Sequence, residues 1–144
     1  MALPFLTLAS FAALVNVPGP CSLVTRSDVV KVLHWKIDTA HESPYHLPQS
    51  SGWHCTYEAD EGNVLVVVPD HGSSFLQNNA LVDPFTNGLG TRVRGIADSV
   101  LLFDNTAYVT KHHQSVSIAV LAVTGTTPDS TLTAFAKIVA RRLP

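Results

Sequence analysis

The sequence predicts an α+β domain whose consecutive strands form an antiparallel meander. Three observations carry that expectation. Trp53, Cys55 and Tyr57 alternate and Val64 to Val68 run unbroken, the period-2 and β-branched patterns of strands. Turn-forming residues at 60–63, 104–105 and 113–114 separate the apolar runs too closely for crossover helices. The last segment instead carries Leu132, Phe135, Ala136, Val139 and Leu143 on one helical stripe.

Taken in order, residues 2–15 are nearly all apolar and the first charge is Arg26. Such a run is too short for a membrane span, which needs about 20 apolar residues, and has the length of a secretory leader. Ser10-Phe11-Ala12 offers small-x-small cleavage spacing, although no basic residue precedes the run. Residues 1–20 are therefore expected to be a leader or signal remnant, and 21–144 a single α+β domain. Val17-Pro18-Gly19-Pro20 makes a stiff entry to it.

Thr25 as N-cap and Asp28 three residues on predict a short helix over about 25–35, with Val29, Val32 and Leu33 at helical spacing. Residues 38–52, with two prolines, a glycine and many polar groups, read as a loop. Segments 53–59 and 63–69 form a hairpin around Asp60-Glu61-Gly62-Asn63. A modest helix is expected over 73–83, stopped before Pro84, with Ser73 or Ser74 capping it. A loop follows around Gly88, Gly90 and Gly95. Three strands come next, 100–103, 107–111 and 116–123, and then the terminal helix, with Thr127 as cap, Pro128 at the first helical position, and Arg141 and Arg142 in the last turn.

Composition narrows function by exclusion. With 9 Lys+Arg, 11 Asp+Glu and a net charge of −2, the chain lacks the basic excess that nucleic-acid binding needs. Charged residues are 14 % of the chain against about 25 % for ordinary domains, and mean hydropathy is +0.21. The two cysteines, Cys21 and Cys55, belong to no CxxC and no zinc-finger spacing. They are either two buried thiols or a disulfide worth about 3–4 kcal/mol. Beside the apolar leader, the disulfide and an oxidising, extracytoplasmic compartment are the expectation.

Several segments together resemble a known group. PCSLVTRSDVVKVL followed by WHCTY, and later Val93-Arg94-Gly95-Ile96-Ala97-Asp98-Ser99-Val100, look like the opening and mid-chain turn of secreted lipoprotein domains of unknown function common in actinobacteria. The layout is also similar to the extracytoplasmic sensor domain of mycobacterial serine/threonine kinases. Ala97 stands where those domains have a second glycine, and Pro18-Gly19-Pro20 is no lipobox, so any lipid anchor lies upstream. The resemblance spans about residues 20–143. It implies a Cys21–Cys55 disulfide, an extracytoplasmic location, and a curved antiparallel sheet backed by helices. The expected architecture is then a curved antiparallel sheet of about five strands with two or three helices and one disulfide. No catalytic residue is carried over.

Chemistry-bearing clusters are few. His41, His46 and His54 flank the 38–52 segment and form a candidate metal set, with Glu42 as a neighbouring carboxylate; no HExxH is present. His112 and His113 are adjacent and would point to opposite faces. Arg92 and Arg94 alternate onto one side of an extended segment, a candidate anion site or a charged strand edge. Gly72-Ser73-Ser74 lacks the closing glycine of a nucleophile elbow, and the glycines at 88, 90 and 95 do not have dinucleotide-fingerprint spacing. Trp35 and Trp53 are expected in or near the core, Trp53 beside the disulfide. Asp60 and Glu61 read as solvated turn carboxylates.

The expected function is a secreted or periplasmic, non-enzymatic domain that binds a ligand or partner protein through one sheet face. No cofactor, nucleic acid or transmembrane span is expected, and membrane-surface association would come through an upstream anchor. The alternatives are a metal-binding or metal-dependent protein using the loop histidines, and a structural accessory subunit.

Overall fold

Helix starts follow the capping chemistry of the sequence. In the computed structural model, which describes residues 17–48, 50–70 and 90–144, the turn α1 (Pro20–Leu23) leads into α2 (Arg26–Leu33). Thr25 Oγ1 accepts the Asp28 N–H at 3.2 Å, and Asp28 Oδ2 accepts the Thr25 N–H at 2.7 Å. This reciprocal box satisfies two of the amides that a helix start leaves unpaired. His34 ends α2 in the left-handed region at φ 60°, its N–H on Val30 O at 2.9 Å.

Seven strands follow: β1 (Thr39–Leu47), β2 (Ser50–Ala59), β3 (Gly62–Pro69), β4 (Thr91–Arg92), β5 (Ser99–Phe103), β6 (Thr106–Lys111) and β7 (Gln114–Ala122). They form one antiparallel sheet in the order β1-β2-β3-β7-β6-β5-β4. Two meanders, β1–β2–β3 and β4–β5–β6–β7, join where β3 pairs with β7, Val66 opposite Ile118. The α+β class and the antiparallel sheet are as expected, but the sheet has seven strands rather than about five.

Both extra strands are edges, in segments the sequence marks as loops. β1 occupies most of the 38–52 stretch and is exposed along most of its length. A strand exposed on both faces has no period-2 apolar signal, and an edge tolerates the proline, Pro44, that argued against one. β4 is only two residues long. The hairpin 53–59/63–69 and the later three strands stand where expected, within a few residues.

Asp104 (φ 48°) and Asn105 (φ 59°) turn β5 into β6, and His112 (φ 48°) and His113 (φ 66°) turn β6 into β7. Positive φ at both central residues is the type I′ requirement, whose twist matches paired strands. Gly62 is fixed by its neighbour: a Cβ there would lie 2.2 Å from Leu121 O, so only glycine lets β7 approach.

The terminal helix, α3 (Asp129–Arg142), begins after Pro128 with no side-chain cap bond. Thr127 does not cap it. Its N–H goes to Asn105 Oδ1 at 3.0 Å and its hydroxyl to Val120 O at 3.1 Å, tying the helix entry to the sheet. At the other end Lys111 Nζ donates to Ala140 O and Leu143 O at 2.8 and 2.9 Å. That places a cation where the helix carbonyls are unpaired.

One face of the sheet packs against the three helices. Tyr57, Val64, Val66, Val100, Val109, Val116 and Ile118 meet Leu23, Val29, Leu132, Phe135 and Val139, all at most 2 % exposed. Val17 packs against this core and Pro20 opens α1, inside the last residues of the expected leader. The rest of that leader (residues 1–16) and the expected helix at 73–83 with its Ser73 and Ser74 lie outside the described residues.

Candidate functional site

Strand alternation gives the sheet a second face, on the side away from the helices. In register across it lie Ser43, His54, Val67, Ser117, Tyr108 and Leu101 in one row, and His41, Thr56, Leu65, Ala119, Thr106 and Phe103 in the next. The central strands β3 and β7 contribute Leu65, Val67, Ser117 and Ala119, of which two are small. The flanking strands carry the tall side chains Tyr45, Leu47 and His54 on one side and Tyr108 on the other. The result is a groove of about 470 Å³ across β3 and β7, floored by Leu65, Val67, Ser117 and Ala119 and walled by the tall side chains.

The β1–β2 wall is built by hydrogen bonds. Tyr45 stands opposite Gly52, where a Cβ would lie 2.3 Å from Val68 O. The Tyr45 hydroxyl meets Ser50 Oγ at 3.0 Å. The rings of Tyr45 and His54 are 6.3 Å apart and tilted by 38°, within the range of favourable aromatic pairs. His54 Nε2 lies 3.0 Å from Ser43 Oγ, and its Nδ1 lies 3.5 Å from Thr56 Oγ1. The imidazole is thus held between two hydroxyls. On the opposite wall, burial raises the Tyr108 phenol above its usual range, Thr106 opposing and Asp104 adding, so it stays neutral at physiological pH.

The candidate metal set is divided by the register. His41 and His54 face the groove side, opposite Thr56 and Ser43, whereas His46 pairs with Ser51 and faces the other way. Glu42 also faces the helix side, where its Oε1 accepts the Cys21 N–H at 3.1 Å. Among the described residues no three His, Cys, Asp or Glu side chains converge to hold a metal. The histidines belong to paired strands rather than to a loop that could gather them.

Cys21 and Cys55 form a disulfide, S–S 2.05 Å with Cα atoms 5.2 Å apart, joining α1 to β2. Trp53 shares the helix-side face with Cys55 but is 47 % exposed, at the rim beside Val17–Pro20 rather than in the core. Trp35 is half-buried against the core. Arg92 and Arg94 are exposed, and Arg92 Nη1 donates to Ser99 Oγ at 3.2 Å. His112 and His113 are turn residues: the His112 N–H bonds Asp98 Oδ2 at 2.8 Å and its ring meets Pro144 O at 3.0 Å.

The groove residues Tyr45, Leu65, Val67, Tyr108 and Ser117 have no motif that singles them out. One signal was present. A strand with one face in water alternates, whereas the unbroken apolar run Val64–Val68 puts Leu65 and Val67 on the second face as well. Set against family profiles, characterised proteins and solved structures, the chain has no match.

Proposed function

We propose that this chain is an extracytoplasmic, non-enzymatic binding domain that holds a small apolar ligand in the groove on the open face of its sheet. The observation that carries the reading is the groove itself, apolar along its floor and lined by a few placed polar groups, Ser50, His54 and Ser117. Concave sites with that balance are where small molecules bind. The Cys21–Cys55 disulfide supports an oxidising compartment. No helix among the described residues is long and apolar enough to cross a membrane.

The test is binding of the neutral environment-sensitive dye phenylnaphthylamine at neutral pH. We expect saturable fluorescence enhancement, weakened by Tyr108→Ala, which removes one wall. Enhancement that is non-saturable, or identical in the variant, would rule the groove out as the site.

A further inference from the structure

We infer that the groove takes a single-chain carboxylate amphiphile, its head against His54 and its hydrocarbon chain along Val67, Leu65 and Ala119. This rests on the groove being a ligand site, and it adds the ligand's class and direction.

Shape gives the chain. The groove extends from the level of Leu47 and Ser50 to that of Leu65 and Ala119. From His54 it continues across β3 and β7 to Tyr108 on β6, three strand spacings or about 14 Å at about 4.8 Å each. It is an open trough across the strands with Leu65, Val67 and Ala119 in its floor, which suits a flexible hydrocarbon laid from strand to strand.

Hydrogen-bond accounting gives the head. A neutral imidazole has one donor and one acceptor nitrogen. Between Ser43 and Thr56, one hydroxyl must therefore donate to His54 while the other accepts from it. The accepting hydroxyl keeps its own proton for a further acceptor, whichever tautomer is present. A protonated imidazole would leave both hydroxyl protons available. Of this corner His54 lines the groove, and Ser43 and Thr56 stand beside it on the same strand face, so in every state O–H donors and no acid flank the imidazole. Among the described residues Glu58 is the one carboxylate on this strand face, two rows along and already accepting the Thr39 hydroxyl at 2.9 Å. His41, opposite Thr56, adds a second basic group. An anionic acceptor is matched here, and a cationic head has nothing to pair with.

The experiment is displacement of phenylnaphthylamine from the full chain at neutral pH by dodecanoate, dodecanol and dodecyltrimethylammonium, all below micellar concentration. Dodecanoate is expected to bind about tenfold more tightly than dodecanol, about the value of one charge-assisted hydrogen bond, with the ammonium weakest. His54→Gln should reduce that preference, lowering dodecanoate affinity several-fold more than dodecanol affinity. Ser43→Ala with Thr56→Val, which removes both hydroxyls and spares the ring, should do the same and carries the test if His54→Gln folds poorly. Equal affinity for dodecanoate and dodecanol, or a preference that survives both variants, overturns the head-group assignment and leaves the groove reading intact. Failure of the dye itself to bind overturns the groove reading and this inference together.

Discussion

Arg142, in the last turn of α3, holds both carboxylate oxygens of Asp28, 114 positions away in sequence, Nη1 on Oδ2 and Nη2 3.2 Å from Oδ1. The same guanidinium donates to Leu23 O at 2.9 Å, so one side chain closes α3 onto both α1 and α2. Asp28 thereby serves two purposes, as the third residue of the α2 capping box and as the acidic half of the ion pair.

That double use has an acid signature. Burial alone would raise the Asp28 carboxyl, but the bonds from Arg142 and Thr25 outweigh it and hold it at about 2, against an ordinary 3.8. A lowered acid stabilises the fold above its unfolded value and loses that contribution as pH falls through its folded value. Asp28→Asn should therefore cost on the order of 1–2 kcal/mol at neutral pH. The gap to the parent should close between about 4 and 2, as the parent carboxyl takes up its proton. Urea denaturation across that window reads it, and a gap that stays constant would show that charge is not what Asp28 contributes.

At the alkaline end Tyr57 should dominate. Its hydroxyl donates to Val24 O from a site 2 % exposed. Burial, with the negative charges of Asp28 and Glu42, pushes it up to about 12, Arg142 opposing. A raised phenol stabilises the fold fully below its unfolded value of 10.0 and loses that contribution as pH climbs toward 12. Tyr57→Phe leaves the Val24 carbonyl without that donor and should cost about 1–3 kcal/mol at neutral pH. The difference should shrink above pH 10, because only the parent must then keep this phenol protonated. Parallel pH–stability curves for the two proteins would contradict the assignment.

The disulfide should account for a stability difference of its own. Closing the segment between Cys21 and Cys55 restricts the unfolded chain by about 3–4 kcal/mol. Cys21→Ala with Cys55→Ala should lower the urea midpoint accordingly, and reductant should bring the parent toward the variant without moving the variant. A parent whose unfolding ignores reductant would show that the bond does not form in solution.

How much was legible in the sequence follows from where each signal is generated. The α2 capping box, the β2–β3 hairpin and the α3 stripe are local patterns, and each was readable because its residues neighbour one another in the chain. β1 was not, because an exposed edge strand buries too little for its side chains to be patterned, and Pro44 and His46 read as loop. The expected histidine cluster failed for the same reason. Assigning His41 and His46 to a loop let them converge on His54, whereas a strand sends His46 to the opposite face from the other two. The groove was hidden differently. Its floor and walls come from five strands brought side by side, and only the unbroken Val64–Val68 run hinted that the second face is apolar.

The floor of the groove gives the most direct test of that second face. Ser117 is 9 % exposed and sits in register between Val67 and Tyr108, with its side chain on the groove side. Ser117→Ile adds a β-branched side chain suited to a strand, raising the floor between the two walls without touching the helix-side core. The variant should melt at the parent temperature or a few degrees above, because it buries apolar surface at about 25 cal/mol per Å². Its dye affinity should fall about tenfold or more, because the added atoms occupy the space the ligand needs. Thermal melting and dye titration on the same preparation separate the effects. Lost binding with unchanged melting locates the site on this floor, whereas retained binding would place the ligand elsewhere on the molecule.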